Sequence, residues 1–161
     1  MFDLKNALPF LLNRTGLRMA GIFEARELGR HDVTLPMYRV LETLARHDDQ
    51  RLGDLATLAD MEVSTLSRLI GAMQTRRLVS RRRSGKDARA VRIRITDQGR
   101  TLAQKLIAAA THYEATMTKC LQPRQVQELK RALTQIDGAI DALEEELDGG
   151  KAKTARRSSA A

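Results

Sequence analysis

Cysteine is nearly missing from this chain. Its 161 residues include one, Cys120, so no internal disulfide can form and a reducing cytoplasm is the expected setting. Tryptophan is absent and aromatic residues make up only 3%, which argues against a surface that stacks unpaired bases on aromatic rings. No apolar run approaches the roughly 20 residues of a membrane span, and no charged, apolar and small-residue zones of a secretory signal open the sequence. His31, His47 and His112 are scattered, without Cys or carboxylate partners at metal-ligand spacing. Glycine-rich phosphate loops and a nucleophile-elbow pattern are also absent. The expectation is a protein with no catalytic site, metal, cofactor or membrane segment.

Positive charge, in contrast, is concentrated. The formal net charge is +8. From Arg68 to Arg100 there are eleven basic residues, opposed only by Asp87 and Asp97. This stretch carries +9 and leaves −1 for the remainder. Solvated faces mix signs, whereas a basic block in a neutral protein is the footprint of a polyanion binder. The scarcity of aromatics makes duplex DNA the favoured polyanion.

Hydrophobic periodicity predicts the elements. Leu4, Leu8, Leu11, Leu12, Met19, Ile22 and Phe23 recur at helical spacing, in a helix that begins near Pro9 and ends near Leu28. Thr34 reads as the N-cap of a second helix, with Pro36 in its first turn and a stop near His47. A short helix is expected from Asp54 to Ala59, with Leu55 and Leu58 facing inward. The next spans Val63 to Arg77, burying Leu66, Leu69, Ile70 and Met73. Its opposite face carries Ser64, Ser67, Arg68, Gly71 and Thr75. Small polar side chains with one long cation suit a recognition helix, because they let the backbone approach base edges in the major groove.

The period then changes from helical to two. Val91, Ile93 and Ile95 alternate with Arg92 and Arg94, a half-buried strand that Val79–Arg83 can pair with. Ser84, Gly85, Lys86 and Asp87 supply the turn. A basic ribbon carrying Arg82, Arg83 and Lys86 results, of a kind that reaches into a DNA groove. After Thr96 a long helix is expected to bury Leu102, Leu106, Ala109, Tyr113, Met117, Cys120 and Leu121. Cys120 there reads as a small core hydrophobe, with redox sensing the weaker alternative. Pro123 opens a last helix. Its seam of Val126, Leu129, Leu133, Ile136, Ile140, Leu143 and Leu147 alternates spacings of three and four, fit for packing on another helix. Gly149 and Gly150 are expected to stop it, and residues 151–161 to form a disordered basic tail.

This order of elements resembles the MarR family of bacterial regulators over Leu8 to Leu147. Four stretches carry the likeness: Leu35 to Leu41 (LPMYRVL), Leu55 to Ala59 (LATLA), Ser64 to Ile70 (STLSRLI) and Asp87 to Gly99 (DARAVRIRITDQG). The last is the most specific, joining an Asp-x-Arg wing tip, an alternating strand and Thr-x-x-Gly. Two positions depart from the family's pattern. Glu62 stands where a capping Ser or Asp is common, and Arg77 where a Gly often precedes the ribbon. A non-glycine there either takes a left-handed conformation, costing about 1 kcal/mol, or turns by another path.

The resemblance implies a mainly α fold with a small two- or three-stranded β wing, a winged helix-turn-helix flanked by dimerisation helices. Its expected parts are an N-terminal helix (1–33), a DNA-binding domain (34–99), dimerisation helices (100–148) and the tail (149–161). By the resemblance, Arg89 enters the minor groove, Asp87 orients Arg89, and Ser64, Thr65, Ser67 and Arg68 meet bases and phosphates. It further implies a homodimer on double-stranded DNA that represses from an inverted repeat. Release by a small aromatic or phenolic acid, or its thioester, is also implied, with Arg14, Arg18, His31 and Tyr38 as candidate ligand residues. An architectural protein binding duplex DNA without sequence preference is the alternative. It has no need of a small polar recognition face.

Overall fold

Pro9 lies in the first turn of helix α1 (Leu8–Arg26), where its missing N–H costs no hydrogen bond. The computed structural model containing this helix describes residues 3–83 and 91–158. The chain divides into two compact units, Met1–Thr116 and Met117–Ala161. In the first, a 3-10 turn (Leu28–His31) follows α1 and leads to α2 (Leu35–Arg46). As expected, Thr34 caps α2, its side chain accepting from the Met37 N–H at 3.4 Å. Strand β1 (Gln50–Arg51) feeds directly into α3 (Leu52–Leu58), then come α4 (Val63–Thr75), β2 (Val79–Arg83), β3 (Val91–Ile95) and α5 (Asp97–Met117).

The three strands form one antiparallel sheet in the order β1-β3-β2. Val79 faces Ile95 and Arg82 faces Arg92 across the β2–β3 pair, the ribbon expected from the change of period. Strand β1 adds the third member, Arg51 facing Arg92. The core of this unit draws Phe23 from α1, Val40, Leu41 and Leu44 from α2, and Leu55 and Ala56 from α3. Leu66, Ile70 and Met73 come from α4, Ile93 and Ile95 from β3, and Ala103 and Leu106 from α5. Tyr38 and Tyr113 each meet the Phe23 ring edge-on, with centroids 5.3 and 5.8 Å away.

Four expectations need correction. Helix α3 starts two residues before Asp54 because β1 pairs with β3 and delivers Arg51 in extended conformation as its N-cap. That phase turns Leu58 outward, 50% exposed, and buries Ala56 and Ala59 instead. Cys120 is exposed, because α5 ends at Met117 and a turn, Leu121 N–H to Thr118 carbonyl at 2.9 Å, carries it off the helical stripe. In the second unit, α6 (Pro123–Ser158) continues through Gly149 and Gly150 instead of stopping. Each helical Gly costs about 1 kcal/mol, but Lys, Ala and Arg residues follow, which favour helix and suit its C-terminal end.

Left-handed residues close the short connections. At the end of α4, Arg77 has φ 56°, so the departure from glycine takes the left-handed path. Its N–H reaches the Gln74 carbonyl at 2.8 Å, and the Leu78 N–H reaches Met73 at 3.0 Å, the paired bonds of a Schellman closure. Asp60 (φ 53°) ends α3 in the same way, its N–H reaching the Thr57 carbonyl at 3.2 Å and the Met61 N–H that of Ala56 at 2.9 Å.

The Leu78 carbonyl then meets the start of α5. The Thr96 N–H donates to it at 3.1 Å. Thr96 Oγ1 lies 2.6 Å from the Arg77 carbonyl and 3.1 Å from that of Leu78, and accepts from the Gly99 N–H at 3.0 Å. A Cβ on Gly99 would lie 2.0 Å from the Leu78 carbonyl oxygen, so only glycine fits. Gly99→Ala is expected to lower unfolding stability by about 1–3 kcal/mol, read by urea melts. Arg77→Gly is expected to raise it by up to about 1 kcal/mol by relieving the left-handed backbone.

Candidate nucleic-acid interface

The side chains expected to meet DNA lie on two adjoining surfaces. On α4, Ser64, Thr65 and Arg68 are exposed and Ser67 is half-buried, opposite the buried Leu66, Ile70 and Met73. Helical periodicity produces this split, since Leu66, Ile70 and Met73 return to one side every three or four residues. Glu62 stands at the N-cap without a side-chain hydrogen bond. The first-turn N–H groups of α4 therefore keep the capacity to hold an anion.

The sheet supplies the second surface. Residues alternate sides along a strand and directly paired residues share a side. Val79, Arg81, Ile93 and Ile95 therefore share one side, and Ser80, Arg82, Arg92 and Arg94 the other. Arg51 joins Arg92 and Arg82 in one row across the three strands. Arg51 was not singled out in the sequence because a lone cation between a loop and a short helix has no pattern. Only the strand register assigns it to the row.

Several arginines of the basic block are committed to structure. Arg81 donates to the Ser67 carbonyl at 2.8 Å, tying β2 to α4. Arg76, at the end of α4, donates to the carbonyls of His31, at 2.8 Å, and of Asp32, anchoring the connection between α1 and α2. Arg92 pairs with Asp49, Nε to Oδ1 at 2.9 Å, and also donates to the Asp49 carbonyl. Arg100 reaches Asp48 Oδ2 at 3.0 Å. Asp48 Oδ1 additionally accepts from the N–H groups of Asp49, at 2.8 Å, and Ile95, at 3.0 Å. The sequence marks Asp48 and Asp49 only as loop formers. Their partners lie more than forty positions away, beyond the reach of local patterns. Arg68, Arg82 and Arg94 make no ion pair with a described carboxylate.

Lys86, Asp87 and Arg89, and the side chain of Arg83, lie outside the described residues. The candidate ligand residues do not converge. Arg14 and Arg18 are exposed on α1, and the Arg14 guanidinium lies over the Phe10 ring at 5.6 Å. Tyr38 and His31 line different clefts, the first with Arg39, Glu42 and Leu58, the second with Arg76, Gln98 and Lys105. Burial, reinforced by Glu42 and opposed by Arg46, raises the Tyr38 phenol above its usual pKa. It is therefore neutral at physiological pH.

Comparison with known proteins agrees with this architecture. The sequence profile of the family described as transcriptional regulator SarA/Rot matches residues 27–106. The HTH-type transcriptional regulator MgrA of Staphylococcus aureus is 26% identical over 143 residues, covering 89% of this chain and 96% of MgrA. A MarR family transcriptional regulator from Silicibacter pomeroyi superposes with a TM-score of 0.71 at 27% identity, over 84% of this chain and 98% of that one. The transcriptional repressor CouR, solved on a 23-mer DNA duplex, gives 0.75 at 27% identity, over 84% and 96%.

The Asp48 cluster yields a test. Asp48→Ala removes the acceptor for two N–H groups and Arg100 together, and is expected to cost about 1–3 kcal/mol. The Ile95 amide should exchange faster with solvent, whereas Asp49→Ala, breaking a half-exposed pair, should cost less than about 1 kcal/mol.

Proposed function

Because the chain is a DNA-binding transcription regulator of the MarR winged-helix type, we propose that it acts as a homodimeric repressor on an inverted-repeat operator. The observation that carries this reading is the α4 face. Ser64, Thr65 and Arg68 stand exposed on a helix whose opposite side is locked into the core. That helix is tied through Arg81 to a sheet bearing Arg51, Arg82 and Arg94. Such a helix reads base edges in a major groove, while the sheet cations meet phosphates and, with Arg89 oriented by Asp87, an adjacent minor groove. Arg83 and Lys86 are further candidate phosphate contacts in this proposal.

Dimerisation is supported by unpartnered apolar side chains. In the second unit, Leu129, Ile140, Leu143 and Leu147 of α6 are exposed along one seam, and in the first unit Leu8, Leu17 and Ile22 of α1 are exposed as well. A second copy would cover such surfaces by two-fold pairing and set two recognition helices on one face of the duplex. Occupying a promoter in this way represses transcription. Release of DNA by a small aromatic acid or its thioester fits the edge-on cluster of Phe23, Tyr38 and Tyr113, with Arg14 and Arg18 of α1 as candidate partners for its charge and His31, in a different cleft, as a separate candidate. The effector must favour one of two lobe spacings to act.

Footprinting on host DNA should give one protected site with two-fold symmetry. Uniform protection of any duplex would replace this reading with the architectural one. Arg68→Ala and Arg82→Ala are each expected to weaken binding and reduce the salt slope by about 1. Ile140→Glu combined with Leu143→Glu should yield a monomer in sedimentation and abolish the symmetric footprint. Aromatic acids should raise the melting temperature of the wild-type protein and release the operator.

A further inference from the structure

Arg76 is the C-cap of α4, one residue before the left-handed turn at Arg77. Its side chain belongs to the basic block but is spent on backbone. Nη2 donates to the His31 carbonyl at 2.8 Å, Nη1 donates to the Asp32 carbonyl, and Met37 Sδ lies 3.6 Å from Nη1. The nearest acid is a poor partner by comparison. Asp32 Oδ2 is 4.0 Å away on a side chain that is 98% exposed, where water screens it. The planar guanidinium fork suits two neighbouring carbonyls, whereas a lysine ammonium is a single point of charge.

The segment that Arg76 grips is fastened to α1 as well. Glu24, on α1, accepts from the Leu35 N–H through Oε1 at 3.3 Å. Between these two ties the backbone closes on itself. Asp32 is left-handed, with φ 53°, its N–H reaches the Gly29 carbonyl at 3.2 Å, and the Val33 N–H reaches that of Leu28 at 3.0 Å. Leu28 and Val33 are buried. The connection is thus a short braced link, bonded to α1 at one end and to the end of α4 at the other.

Leverage gives that link a consequence for reading DNA. Helix α4 has 13 residues, so it is about 20 Å long. Pivoting it by roughly 10° about its C-terminal end moves Ser64 and Thr65 by about 3 Å, close to one base-pair step. A recognition surface has to be held far more closely than that.

We propose that Arg76 is a positioning residue for DNA recognition: by bonding the His31 and Asp32 carbonyls it fixes the reading end of α4 relative to α1, and so sets the half-site spacing that the protein accepts. Arg76 acts through α4 and touches no DNA itself. The spacing part rests on the two-fold operator reading above.

The test compares full-length wild type with Arg76→Lys, Asp32→Asn and Glu24→Ala, each well below its melting temperature. The probes are the duplex that the wild type protects and the same half-sites moved apart by one base pair, titrated over a range of salt. Arg76→Lys keeps the charge but not the fork. It is expected to weaken operator binding about tenfold, to leave the salt slope unchanged and to erase the preference between the two spacings. Asp32→Asn, which keeps the carbonyl and tolerates the left-handed backbone, should bind as wild type. Glu24→Ala, at an exposed position on α1, should give a smaller loss in the same direction. A salt slope reduced by about 1 would make Arg76 a phosphate contact. A lower melting temperature with affinity and spacing preference intact would make it a stabiliser only. A loss reproduced by Asp32→Asn would assign the effect to the ion pair. Each of these outcomes overturns the proposal. A wild type without a symmetric footprint ends the operator reading by itself. Arg76→Lys is then judged on bulk duplex, where the same loss at unchanged salt slope is expected and wild-type affinity overturns the proposal.

Discussion

The contact on which the rest of the first unit depends is the meeting of two backbones, where Gly99 approaches the Leu78 carbonyl. Within a few residues of that point α4 ends, β2 begins, β3 ends and α5 begins. Arg77 in its left-handed turn aims the chain from helix to strand, and Thr96 binds the same carbonyls from the far side. The angle between α4 and the β2–β3 pair is therefore set by hydrogen bonds and van der Waals exclusion, not by charge. Each bond is modest in net terms, about 1 kcal/mol, but they share donors and acceptors and so stand or fall together.

Charge is arranged around this frame in two roles. Arg76, Arg81, Arg92 and Arg100 are used inward, three of them bonding carbonyl oxygens and two pairing with Asp48 and Asp49. The strand alternation leaves Arg51, Arg82 and Arg94 on the outer side of the sheet. Like charges directly opposed across strands repel, and the Asp49 carboxylate offsets this at Arg92, the middle of the row. The composition alone overstates the charge available to a polyanion and says nothing of its order. Pairing lowers the first and strand register supplies the second.

The second unit shows the same economy in apolar surface. Helix α6 is half-covered at Val126, Leu133 and Ile136 and exposed at Leu129, Ile140, Leu143 and Leu147. A run of exposed leucines and isoleucines at heptad spacing is more than scattered surface apolarity. It is why a second copy of the chain belongs in the functional proposal.

Much of the architecture was legible in the sequence. The Thr34 cap and Pro36 start α2, the stripe of Leu66, Ile70 and Met73 marks α4, and alternation through Val91, Ile93 and Ile95 marks β3. Caps, turns and periodic faces act within a few residues, so the order of amino acids determines them directly. The Thr-x-x-Gly of α5 was legible as a pattern, but its reason, the Leu78 carbonyl, was not. Tertiary structure alone decided that Asp48 and Asp49 hold β3 and α5, that Arg51 completes a row, that Leu58 and Cys120 face outward, and that His31 and Tyr38 serve different clefts. These outcomes depend on which distant segments abut and in what register, and no window of a few residues contains that information.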